Sequence, residues 1–164
     1  MRQLVVFARA VAALCIAALA HAQPPAPTRA AHDSVTAVVQ EFFRSMQAHD
    51  SAAFNRTVTP DAMLWAVRSG SGVTPAARPI AQFAASLATD RRVLLERMWN
   101  PVVQVHREIA MVWTPYDFHR DGAFSHCGID AFTLVHGEGR WRITSITYTV
   151  EPTGCAPSPL GVPR

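Results

Sequence analysis

The stretch that decides the fold runs from Ile109 to Val150: IAMVWTPYDFH (Ile109–His119), RDG (Arg120–Gly122), AFSHCGIDAFTLVH (Ala123–His136), GEG (Gly137–Gly139) and RWRITSITYTV (Arg140–Val150). Runs rich in β-branched and aromatic residues are separated by short Gly-containing turns, the pattern of consecutive antiparallel strands. Upstream, Val93–His106 reads as another extended segment, broken at Asn100-Pro101 because Pro cannot donate to a ladder. A second break is expected at Pro115 for the same reason.

Before Arg92 the periodicity is helical. Val35, Val38, Val39, Phe42 and Met46 form one apolar stripe, with Asp33 as the expected cap. Asp50-Ser51 opens a shorter helix that stops near Pro60, Ala62–Arg68 reads as a short strand, and Ser69–Ala77 as a loop. Pro79 suits the first turn of a third helix, whose buried side carries Ile80, Phe83, Ala84 and Leu87. Helices followed by a long, bulged antiparallel meander make an α+β domain. Bulges bend a sheet, so the expected shape is a strongly curved sheet wrapped on the helices with an open mouth.

The ends of the chain read differently. Met1–Ala22 has the parts of a cleavable secretory signal: Arg2, the apolar run Ala10–Ala20, and small residues at Ala20 and Ala22. The run is too short to span a bilayer, so no stable membrane anchor is expected after cleavage. The protein is expected to be exported, periplasmic or secreted. Residues 23–32 read as a disordered Pro/Ala-rich leader, 33–150 as the domain, and 151–164 as a Pro-rich tail. Loss of Arg2 and Arg9 takes the 15 basic residues to 13 against 12 acidic ones. No basic stripe remains to follow a phosphate backbone, which argues against nucleic acid. Cys15 leaves with the signal. Cys127 and Cys155 then either form one bridge in an oxidising compartment or remain a buried thiol and a spare one; the sequence leaves both open.

Four segments carry a family resemblance: Met46-Gln47-Ala48-His49-Asp50 closing the first helix, Val112–Phe118 (VWTPYDF), Phe124–Gly128 (FSHCG) and Gly139–Ile143 (GRWRI). Across about Asp33 to Val150 the chain resembles the NTF2-like (nuclear transport factor 2) superfamily, with its SnoaL-like and ketosteroid-isomerase-like branches. The middle segments are similar to a bacterial lumazine-binding-like subgroup. The resemblance implies a cone-shaped curved sheet, a cavity between sheet and helices, and homodimers through the sheet's outer face.

Enzymes of this fold use an acidic general base and a donor that stabilises an enolate. Period-2 alternation on Ala123–His136 puts His126, Gly128, Asp130, Phe132 and Leu134 on one face and Ser125, Cys127, Ile129 on the other. Asp130 shares its face with Phe132 and Leu134, where a charge is costly to bury. Asp130 and His126 are the candidate catalytic pair, one as base and one as donor, or two residues each with its own partner on a half-exposed sheet. Trp65, Trp99, Trp113, Tyr116 and Asp117 are candidate ligand-binding residues, with core packing as the alternative for the large rings. Val35–His49 has no Tyr, so the steroid-isomerase oxyanion hole has no counterpart there. Ser125, His126 and Cys127 are strand neighbours expected to point to opposite faces, which argues against nucleophilic catalysis. No His/carboxylate pattern has metal-ligand spacing and no Gly-rich phosphate loop is present, so neither a metal nor a cofactor is expected.

Three functions fit these residues. One is binding of a small hydrophobic or aromatic molecule in the cone. The second is general acid/base catalysis of an isomerase, cyclase or dehydratase type through Asp130 and His126. The third is a structural dimerisation module with the cone plugged by Trp65, Trp99, Phe83 and Trp113.

Overall fold

The computed structural model describes residues 28–68 and 75–163; the signal segment and most of the leader lie outside them. Helix α1 (Arg29–Gln47) starts earlier than Asp33, at Thr28, whose hydroxyl oxygen accepts from the Ala31 backbone N–H at 3.3 Å. Residues 29–32, read as leader, are therefore helical. Val35, Val39, Phe42, Phe43 and Met46 are the buried apolar stripe. Helix α2 (Ser51–Thr57) follows at once, capped by the Asp50 carboxylate on the Ala53 N–H at 2.8 Å.

β1 (Val58–Arg68) then enters the sheet, and β2 (Ala76–Pro79) pairs with it antiparallel. The segment Ala-Ala-Arg-Pro has little intrinsic strand preference, so its place at the sheet edge is imposed by β1. Residues 69–74 of the expected loop lie outside the described residues. After α3 (Ile80–Leu87) come β3 (Leu94–Met98), β4 (Val102–His106), β5 (Ile109–Arg120), β6 (Ala123–Gly137) and β7 (Arg140–Val150). The sheet order is β2-β1-β7-β6-β5-β3, with β4 also paired to β5. β1 runs parallel to β7, so the sheet is mixed rather than wholly antiparallel.

Pro115 causes no bulge. It keeps register with Ile129, and its missing N–H faces the gap between β3 and β4, where Trp99 instead donates to the Pro115 carbonyl at 3.3 Å. The ladder slips elsewhere, between Val58 and Met63, at Phe118/His119 and at Thr133/Leu134. These irregularities bend the sheet around α1 and α3. The core lies on its concave face, with Phe42, Phe43, Phe54 and Phe132 packed edge-on or tilted at 4.7–6.1 Å between ring centroids.

Candidate functional site

The concave face does not close completely over the helices. A cavity of about 280 Å³ remains between them, walled by Phe42, Phe43, Met46, Leu64, Phe83, Phe118, Phe132 and Ile146. Its polar groups are Glu96 on β3, Tyr116 and Arg120 on β5, Ser125, His126 and Asp130 on β6, Tyr148 on β7, and Arg68 and Arg78 on β1 and β2.

Alternation along β6 delivers both candidate catalytic residues to this cavity. His126, Gly128, Asp130, Phe132 and Leu134 are all buried on the concave face. Between the pairs Phe118/His126 and His119/Phe124, β6 carries one extra residue, Ser125. That bulge corrects the simple alternation: Phe124 turns to the convex side against His119, at 5.7 Å between ring centroids, and Ser125 joins the cavity beside His126. Ser125 Oγ and His126 Nδ1 are 3.0 Å apart. The imidazole is a poor base, because burial and then the Arg120 and Arg68 charges lower it to about 4. Near neutral pH His126 is an uncharged ring, tilted against Phe118 and edge-on to Tyr116.

Asp130 is the chemically unusual group. It is 2 % exposed, and its Oδ2 has no hydrogen-bond partner among the described residues. Burial first, then the neighbouring Glu96 carboxyl, pushes it well above the ordinary carboxylate range. Glu96 is raised to about 7, mainly by desolvation, with its contact to Asp130 pulling the other way. Both acids line the same cavity and the charge of Glu96 disfavours that of Asp130, an arrangement that keeps one of them protonated near neutral pH. Tyr116 donates to the Thr149 carbonyl at 2.6 Å, and burial raises its phenol, as it does that of Tyr148. Gly128 is required beside them, because a Cβ there would run into the Thr149 backbone.

Four of the five candidate binding residues stand elsewhere. Trp113 is 53 % exposed on the convex face, since β5 alternation turns it opposite Val112 and Thr114. Trp65 is exposed on the outer side of β1. Trp99 and Asp117 line a separate convex cleft of about 530 Å³ beneath the C-terminal segment. Only Tyr116 joins Asp130 and His126. With those tryptophans turned away, the expected plug is absent and only Phe83 of that set lines the cone.

Under the tail, Asp117 is held by Arg97, with Nε to Oδ1 at 2.8 Å, while His119 Nε2 lies 3.5 Å from the same carboxylate. Burial would raise Asp117, but the Arg97 hydrogen bonds and charge outweigh it and hold the carboxyl below its ordinary value. The tail is tied down: Cys127 and Cys155 form a disulfide with Cα atoms 6.0 Å apart, Glu151 pairs with Cys127, and Arg97 donates to the Gly161 carbonyl at 2.9 Å. Residues 151–163 are thus part of the folded unit.

Sequence reasoning missed Glu96, Tyr148 and the arginines. Glu96 had the same signal as Asp130, a lone acid at i+2 from apolar Leu94 and Met98 on one strand.

The sequence from residue 30 to 149 matches the family model described as "Putative lumazine-binding". No curated protein matches the chain. Among solved structures it is similar to a protein of unknown function with a cystatin-like fold from Nostoc punctiforme (TM-score 0.63, 12 % identity, 79 % of this chain and 97 % of that one). It is also similar to an NTF2-like protein from Cytophaga hutchinsonii (TM-score 0.62, 10 % identity, 72 % and 96 %). An NTF-2 like protein of unknown function from Silicibacter pomeroyi aligns with a TM-score of 0.56 at 22 % identity over 76 % and 100 %. With the cone, its helices and its internal cavity in place, the chain belongs to the lumazine-binding-like family of the NTF2-like superfamily.

Proposed function

We propose that the protein binds a small hydrophobic or aromatic molecule in the cone. One observation carries this reading: a cavity of about 280 Å³ with phenylalanine walls that keeps a buried, unpartnered carboxyl oxygen on Asp130. An apolar pocket with a few convergent polar groups is the usual form of a small-molecule site. A protonated carboxyl in it can donate to a ligand carbonyl or ring nitrogen. The test is native mass spectrometry of the purified protein, followed by thermal-shift screening of aromatic compounds. The expected result is a co-purifying adduct or a raised Tm. A chain that carries no adduct and responds to no compound refutes the reading.

General acid/base catalysis is the second reading, favoured by the Glu96/Asp130 pair, in which one group can hold a proton while the other takes one. His126 then serves as a neutral hydrogen-bonding group rather than the base. With a ligand in hand, Asp130→Asn should abolish turnover and spare binding; surviving turnover removes Asp130 from any mechanism.

The place of action we propose is outside the cytoplasm. The signal-like Met1–Ala22 segment motivates this, and a Cys127–Cys155 bridge suits an oxidising compartment. A mature N-terminus near Gln23, read by mass, is the expected result, and an intact Met1 on the exported or cell-associated protein argues against it. A homodimer through the convex face is the proposed assembly, motivated by exposed Val102, Ile109, Met111 and Trp113 on β4 and β5.

A further inference from the structure

Three arginines stand at the mouth of the cone. Arg68 ends β1, Arg78 lies in the edge strand β2, and Arg120 ends β5, so segments far apart in sequence bring three guanidinium groups to one opening. None of the three forms a salt bridge among the described residues, whereas Arg44, Arg92, Arg97, Arg140 and Arg142 all do. Two of them rest on the cavity's own aromatic walls: Arg78 lies 4.8 Å above the Phe83 ring, and Arg120 5.3 Å above Phe118. Stacking fixes the planes of these groups while leaving their N–H edges available. Their fields overlap inside the opening, because Arg68 and Arg120 both depress the His126 imidazole, and Arg68 and Arg78 both act on the Tyr148 phenol. Neither cavity acid, Glu96 or Asp130, forms a salt bridge with these arginines among the described residues.

The cavity therefore combines apolar walls, carboxyl groups that hold protons and permanent positive charge. A neutral hydrocarbon would leave the charge unused, and a cationic ligand would meet three like charges.

We propose that the natural ligand is an aromatic or polycyclic acid, held with its carboxylate, sulfonate or phosphate against Arg68, Arg78 and Arg120 and its apolar body inside the cone. This rests on the small-molecule reading above and adds the ligand's charge and orientation. Guanidinium pairs with such anions through two parallel N–H···O bonds, stronger than neutral contacts. Because the rim is exposed to solvent, the contribution falls as salt rises.

The probes are anilinonaphthalene sulfonate and phenylnaphthylamine, which share one aromatic body and differ by the sulfonate. Fluorescence titration of the intact protein should show the sulfonate binding about tenfold tighter, with the advantage shrinking in salt. The Arg68→Gln/Arg78→Gln/Arg120→Gln variant should lose that preference, and Lys at the same positions should restore part of it. Arg56→Gln, on the exposed side of α2, is the control and should change neither affinity. If the triple variant fails to melt cooperatively, the single Arg68→Gln and Arg120→Gln variants should each show a partial loss. Equal affinity for both probes, or a preference that survives the arginine changes, overturns the charge assignment and leaves the cavity reading standing. Binding of neither probe overturns both.

Discussion

Asp117 and Asp130 lie on neighbouring strands of one sheet, 4 % and 2 % exposed, and face opposite ways. On the convex side Asp117 is buried with its counter-ion and stays ionised. On the concave side Asp130 is buried with a second acid and takes up a proton. The sheet and the residue type are the same; Asp130 is the more deeply desolvated of the two, and its neighbour is an acid where that of Asp117 is an arginine. A buried acid beside Arg97 is a structural solution. A buried acid beside Glu96 costs stability and makes sense only where something else uses it.

The contrast can be broken most sharply at Arg97. Removing it by Arg97→Ala leaves a buried charge uncompensated and should cost about 3–5 kcal/mol in denaturant unfolding near neutral pH. A loss below about 1 kcal/mol would show that water already screens this pair. Asp117 titrates below its ordinary 3.8, so its contribution is present above that value and disappears as the pH falls through the folded-state pKa. The Arg97→Ala penalty should shrink over the same window.

Next in size is the bridge over the same face. Replacing Cys127 and Cys155 with serine opens a link across 28 positions and should lower stability by about 3 kcal/mol. Thiol titration of the unfolded, unreduced chain gives the direct readout: no free thiol is expected in the mature protein, and two would remove the disulfide.

The concave acids should respond with the opposite sign. Their folded-state pKa values lie above the unfolded ones, so the native state binds extra protons, and stability falls as pH rises from 4.5 through about 7. The Glu96→Gln/Asp130→Asn variant should lose this arm and gain about 2 kcal/mol above that window, with little change below it. If the variant follows the wild-type pH profile, the shared proton is absent.

The smallest effect belongs to Trp113, despite its size. At 53 % exposure on the convex face, Trp113→Ala should change monomer stability by about 0.5 kcal/mol. Sedimentation separates this from assembly: dissociation of a dimer by the same change would place the residue in an interface.

Much of this architecture is legible in the residues. The α1 stripe and the β5–β7 meander follow from spacing, and the face carrying His126 and Asp130 follows from alternation, because burial enforces both periods. Trp113 has the size of a cavity or core residue and is neither, since side-chain size says nothing about phase: its immediate neighbours Val112 and Thr114 occupy the buried side. Pro115 suggested a bulge, yet the opposing edge has its own gap there, a fact of pairing invisible along the chain. The arginine rim is beyond local reading, because it joins β1, β2 and β5 only in three dimensions. Glu96 was readable, as a charge in phase with apolar neighbours.

The extra residue Ser125 has a consequence for how this gene can vary. Deleting its single codon would close the bulge: Phe124 and His126 would become successive residues opposite His119 and Phe118, and Phe124 would stay on the convex side. The entrance would lose the hydroxyl beside His126, and the local bend that the extra residue supplies would relax. Lineages can thus change the mouth of the cone by a length change in the strand, with no substitution anywhere in the pocket.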